Sequence, residues 1–136
     1  MKMKITAIVE KGADGLYSVY SKNRIGNSYF GGFGDSVKDA KADFQNSIEE
    51  AFAEAKNEGF AVPAPDCVQV EYRYDIPSLF NYFDYINVSK FAEFAGINES
   101  KMRAYKSGSS FPGEKTTGKI RNAIRIIGKE LSSASI

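Results

Sequence analysis

Between residues 37 and 55, apolar side chains recur at intervals of three and four: Val37, Ala40, Phe44, Ile48, Ala51, Phe52 and Ala55. An α-helix is the regular structure that gathers this spacing onto one face. Asp35 and Ser36 stand where N-caps belong, and Gly59 stands where a helix stops. The result is a helix of about six turns whose apolar stripe has to lie on another layer. Its acidic residues, among them Asp39, Asp43, Glu50, Glu54 and Glu58, read as the solvated face of that helix.

The preceding residues supply that layer. Residues 3–10 alternate loosely, residues 16–21 follow the turn sequence KGADG, and residues 27–33 carry Tyr29, Phe30 and Phe33. The first two strand candidates predict a hairpin. A fourth, residues 68–74, sets Val68, Val70, Tyr72 and Tyr74 against Gln69, Glu71 and Arg73, after a Pro63-Ala64-Pro65 loop. The expected fold is therefore α+β, with a small antiparallel sheet covered by one long helix across residues 1–75. An all-α domain follows over residues 76–136.

Residues 76–87, IPSLFNYFDYIN, place Leu79, Phe80, Phe83 and Ile86 at helical spacing, with Pro77 tolerated in a first turn. They predict the leading helix of the second domain. Residues 88–108, VSKFAEFAGINESKMRAYKSG, then read as two short helices about a glycine turn. Ala92 allows close approach, Gly96 takes the left-handed turn, and Met102 plugs the joint with Phe91, Ile97 and Tyr105 around it. This is the outline of a helix-turn-helix, and double-stranded DNA is the partner it suggests.

The exposed side of the second helix carries Asn98, Glu99, Ser100, Lys101, Arg103, Ala104 and Lys106. Of these, Asn98, Ser100, Arg103 and Ala104 are expected to face the groove, with Arg103 suited to guanine and Lys101 and Lys106 to phosphate. An ordinary charged helical hairpin would show the same three-point match of Ala92, Gly96 and Met102. A final helix, capped by Thr116 or Thr117, carries Ile120, Ala123, Ile124, Ile127 and Leu131 beside Lys119, Arg121, Arg125 and Lys129. Its stripe either closes the domain or pairs protomers. A homodimer or higher homo-oligomer is expected, because one such motif grips only a short half-site. Residues 132–136 are expected to fray.

Charge supports the same division. The whole chain carries a net charge of +1. Residues 1–75 hold nine basic and twelve acidic residues, whereas residues 76–136 hold nine basic and five acidic. Eight of those last nine cations lie at or after Lys101, which suits a polyanion. The chain has no histidine and one cysteine, Cys67. Ser/His and Cys/His nucleophile pairs are thereby excluded, as are an internal disulfide and a zinc site, and no metal or cofactor is expected. No segment approaches a membrane span and the first residues are too short an apolar run for a leader, so the expected location is the cytoplasm.

The order of strand, strand, strand, helix, proline loop, strand and helix-turn-helix resembles HicB-type antitoxins. ITAIVEKGADGLYSVY corresponds to the opening hairpin, and YFGGFGDSVKDAKADFQNSIEEAF to the Gly-Asp-Ser step into the long helix. The chain departs from many relatives at residues 22–28, KNRIGNS, where they carry a Pro-Gly-Cys-like segment. The resemblance implies a truncated ribonuclease-H-like domain without catalytic carboxylates that binds a small basic ribonuclease toxin. It also implies a carboxyl-terminal domain that binds the operon's own promoter. Two other classes remain: a free-standing helix-turn-helix regulator, and a divergent metal-dependent nuclease built on the sheet domain.

Overall fold

A computed structural model describes residues 2–136. The hairpin turn at residues 12–16 closes with Gly15 at φ 85°, a value that glycine alone adopts without strain. It joins β1 (Met3–Lys11) to β2 (Tyr17–Ser21), and β3 (Gly31–Gly34) pairs antiparallel with β2. The third strand is shorter than its pattern suggests. Residues 27–30 are instead part of a loop pinned by an isolated bridge between Ile25 and Ser28, with Ile25 and Phe30 buried.

Helix α1 (Val37–Asn57) starts where expected, because the Ser36 side chain accepts a hydrogen bond from the Asp39 amide. Val37, Ala40, Phe44, Ile48, Ala51 and Ala55 are its buried face. That face meets Ile5, Ala7, Val9, Tyr17 and Val19 of the sheet, and burying a phenylalanine such as Phe44 stabilises by about 1.5–3 kcal/mol. Phe44 stacks on Phe30 at 5.4 Å and meets Tyr72 edge-on at 6.2 Å. Gly32 and Gly34 let the helix lie almost on the backbone of β3. A Cβ at Gly32 would stand 2.4 Å from the Phe44 amide nitrogen, and one at Gly34 would stand 2.6 Å from that of Ala40.

β4 (Val68–Tyr74) runs parallel to β1, giving a mixed sheet of order β3-β2-β1-β4. The antiparallel expectation is corrected here. The long helix between β3 and β4 acts as a crossover, returning the chain to the far side of β1 in the same direction.

The chain divides into two compact units, one ending at Tyr82 and the other spanning Phe83–Ile136. The segment expected to lead the second domain from residue 76 forms α2 (Ile76–Tyr82), which belongs to the first unit. Asp75 is the physical reason. Its Oδ1 accepts from the Ser78 amide at the start of α2, and its Oδ2 accepts from the Lys11 amide at the end of β1, both at 2.9 Å. Asn81 Oδ1 accepts from the Val37 amide at 2.9 Å, tying α2 to the start of α1.

Lys41 of α1 points into three rings. Its Nζ lies 3.4 Å from the Tyr82 ring centroid, 4.0 Å from that of Tyr72 and 4.9 Å from that of Tyr74, and it donates to the Tyr74 hydroxyl. Burial pushes its pKa down to about 8.

The second unit holds α3 (Val88–Ala95), α4 (Glu99–Ser107) and α5 (Glu114–Ser133). The last helix begins earlier than its threonines suggest, with Gly113 at the cap and the Thr117 hydroxyl donating to the Gly113 carbonyl. It also runs through Ser133, so Ser132 and Ser133 of the tail expected to fray are helical, and residues 134–136 lie beyond the helix.

Candidate nucleic-acid interface

Two asparagines set the ends of the short helices. Asn87 caps α3 by accepting from the Lys90 amide at 2.9 Å, and Asn98 caps α4 by accepting from the Lys101 amide at 3.1 Å. Between them, Gly96 adopts φ 71° and ψ 38°, and the Ile97 amide returns to the Ala92 carbonyl at 2.9 Å. This is a Schellman-type ending, in which the left-handed residue redirects the chain within one step. Only Ile97 and the cap residue Asn98 therefore separate the turn glycine from the first residue of α4.

The core of this joint is as expected from the sequence. Met102 is fully buried, Phe91 is 3% exposed and Ala92 is 1% exposed, with Ile97 and Tyr105 half-buried. Met102 lies on the inner side of α4. Ser100, Lys101, Arg103 and Lys106 accordingly reach solvent together with the cap residue Asn98. Ala104 is half-buried.

Two of the candidate side chains have intramolecular partners. Arg103 Nη2 donates to Glu99 Oε1 at 2.6 Å and to Ser89 Oγ at 3.0 Å, while Ser89 Oγ donates to the same Glu99 oxygen at 2.5 Å. The Ser89 hydroxyl and the Arg103 guanidinium together hold the Glu99 carboxyl below its ordinary pKa. Asn98 spends its Oδ1 on the cap and presents its amide NH2. Lys101 and Lys106 are exposed on α4.

Ser89 is the member of this cluster that the sequence reading passed over. It lies fourteen positions from Arg103, a separation no helical repeat brings together, and only the turn at Gly96 places it there. Glu99 and Arg103, at i and i+4, were legible as a helical pair.

Helix α5 adds Lys115, Lys119, Arg121, Arg125 and Lys129, all exposed. Its apolar stripe is used only in part. Ile120 and Ala123 are buried and Ile124 and Ile127 half-buried, but Leu131 is 69% exposed.

Among the described residues, no three acidic or thiol side chains converge as a metal site would require, and no helix is long and apolar enough to cross a membrane. The acidic residues of α1 are distributed along its outer face. No family model, curated protein or solved structure matches this chain.

Proposed function

We propose that this protein is a DNA-binding regulator rather than an enzyme, and that α3, the Gly96 turn and α4 form its helix-turn-helix. The observation that carries this reading is the arrangement of α4. Met102 anchors α4 from within, and Ser100, Lys101, Arg103 and Lys106 are exposed around the rest of the helix. In this reading α4 enters the major groove. Ser100 and the Asn98 amide contact base edges, Arg103 addresses guanine, Ala104 leaves room for a thymine methyl, and Lys101 and Lys106 hold phosphates. The exposed cations of α5 add to the phosphate grip.

The target we propose is the promoter of the protein's own operon. The element order along the chain resembles HicB-type antitoxins, which supports a cytoplasmic antitoxin that represses its own synthesis as a homo-oligomer. Its sheet unit would neutralise a small basic ribonuclease toxin. The acidic excess of residues 1–75, twelve against nine, is complementary in sign to such a partner. Nuclease protection of the region upstream of the gene tests the reading. It expects two protected half-sites spaced by about one DNA turn. Uniform protection, or none, speaks against it.

A further inference from the structure

The two edges of the sheet are finished differently. β3 is one edge, and the residues that turn their amides outward there are Gly31 and Phe33. Both amides are occupied: Gly31 donates to Ser47 Oγ at 3.2 Å and Phe33 to Asp43 Oδ2 at 2.9 Å, from side chains of α1. This edge is closed to a further strand.

β4 is the other edge. The Asp75 amide donates to the Val9 carbonyl at 3.0 Å, so the odd-numbered residues of this strand direct their backbone groups toward β1. Backbone direction alternates along a strand, and Val70 and Tyr72 therefore turn their N–H and C=O groups outward, where no other strand of the sheet lies. The edge is seven residues long, against four for β3, and it contains no proline. Such an edge is a template for pairing.

Charge selects the occupant and the register. On the face of the sheet away from α1, β4 presents Gln69, Glu71 and Arg73, with Arg73 exposed and Glu71 half-buried. We infer that β4 pairs antiparallel with β4 of a second copy of this chain about a two-fold axis at Tyr72, placing Glu71 of each copy opposite Arg73 of the other. In this register Tyr72 faces Tyr72 as a hydrogen-bonded pair, as its outward amide and carbonyl require. Glu71 and Arg73 form the non-hydrogen-bonded pairs, whose Cα atoms approach to about 4.5 Å. A register shifted by two residues, centred on Val70, sets Glu71 against Gln69 and loses both ion pairs. The contact is isologous and closes on itself, joining two four-stranded sheets into one of eight strands. On this face Glu71 already holds Lys4 of β1 at 2.9 Å and Arg73 of its own strand at 3.6 Å, so Arg73 of the second copy joins an existing cluster of ion pairs.

The inference rests on the sheet alone and is tested without DNA, so its failure leaves the regulator reading standing. Full-length chains carrying Cys67→Ser and either Glu71→Cys or Arg73→Cys are oxidised separately and as a mixture. The register expects a disulfide-linked dimer in the mixture only. Two Glu71→Cys copies, or two Arg73→Cys copies, meet across a diagonal of about 7–8 Å, beyond disulfide reach. A second pair, Glu71→Arg and Arg73→Glu, is expected to lose this dimer singly and to regain it as a mixed dimer by native mass spectrometry. Equal cross-linking in all three oxidised samples, or none in the mixture, overturns the inference, as does failure of the charge-reversed pair to combine.

Discussion

Arg103 and Glu99 are joined at 2.6 Å across one turn of α4, with Ser89 of α3 bonded to both. The guanidinium that the sequence offers to a guanine is therefore a held side chain. Two donors on one carboxylate oxygen fix the aim of the arginine while reducing its charge as seen by phosphate. In the proposed reading, release of Glu99 frees charge, and removal of Arg103 deletes the contact to guanine.

Glu99→Gln is accordingly expected to raise affinity for random DNA and to reduce the ratio of specific to random binding. Arg103→Ala is expected to cost about 1–3 kcal/mol on the operator and to relax preference at one position, whereas Lys106→Ala weakens all sequences alike. Titrations of the three variants on operator and scrambled duplexes separate these roles. Equal losses on both duplexes for Arg103→Ala and Lys106→Ala would remove the assignment.

Asp75 fastens the end of β1 to the beginning of α2 through two backbone amides. Asp75→Ala removes a helix cap and leaves the part-buried Lys11 amide without this acceptor, and is expected to cost about 1–3 kcal/mol. Urea unfolding should show a lower midpoint with the slope unchanged. An unchanged midpoint would mean that other contacts hold α2.

The seating of α1 on β3 depends on an absent Cβ. Gly32→Ala would place a carbon 2.4 Å from the Phe44 nitrogen and 2.7 Å from the Ala40 carbonyl oxygen, both backbone atoms that cannot swing aside. It is expected to lower stability by about 3 kcal/mol. Gly113→Ala, with nothing within 4 Å of the added carbon, is the matched control and should shift the midpoint far less. Similar midpoints for the two would contradict the close packing.

Lys41 predicts a pH dependence. Its folded value of about 8 lies below the ordinary 10.5, so between these values the unfolded chain binds the extra proton and stability rises with pH. Tyr72 and Tyr74 are raised above 10.0 by burial, so they remain neutral on this approach. Thermal unfolding from about pH 7.5 to 9.5 should show a rise that Lys41→Met lacks, since the window lies below ordinary tyrosine titration. The same slope in both proteins would mean that the three rings stabilise the ammonium enough to offset its burial.

Much of the fold was legible because local signals agreed with the tertiary result. The α1 stripe, its Ser36 cap and the alternation of residues 68–74 each pointed to the element that formed, and Ala92, Gly96 and Met102 gave the joint of α3 and α4. The direction of β4 was not legible, since alternation along a strand is the same in parallel and antiparallel pairs. Nor was the end of α2. Leu79, Phe80, Phe83 and Ile86 continue a helical spacing past Tyr82, but Phe83 accepts from the Ile86 amide in a turn instead. The exposed face of α4 could be read from periodicity. The engagement of Arg103 could not, because Ser89 reaches it only through the folded turn.

In the proposed function, α4 reads DNA upstream of the protein's own gene. Fluorescence anisotropy with that DNA and a scrambled duplex, each at two salt concentrations, tests it most directly. Salt weakens every phosphate contact, so the ratio between the duplexes carries the result. The account predicts a preference on the order of a thousandfold for the upstream DNA, persisting at the higher salt. Equal affinity for both duplexes, falling together with salt, would contradict it.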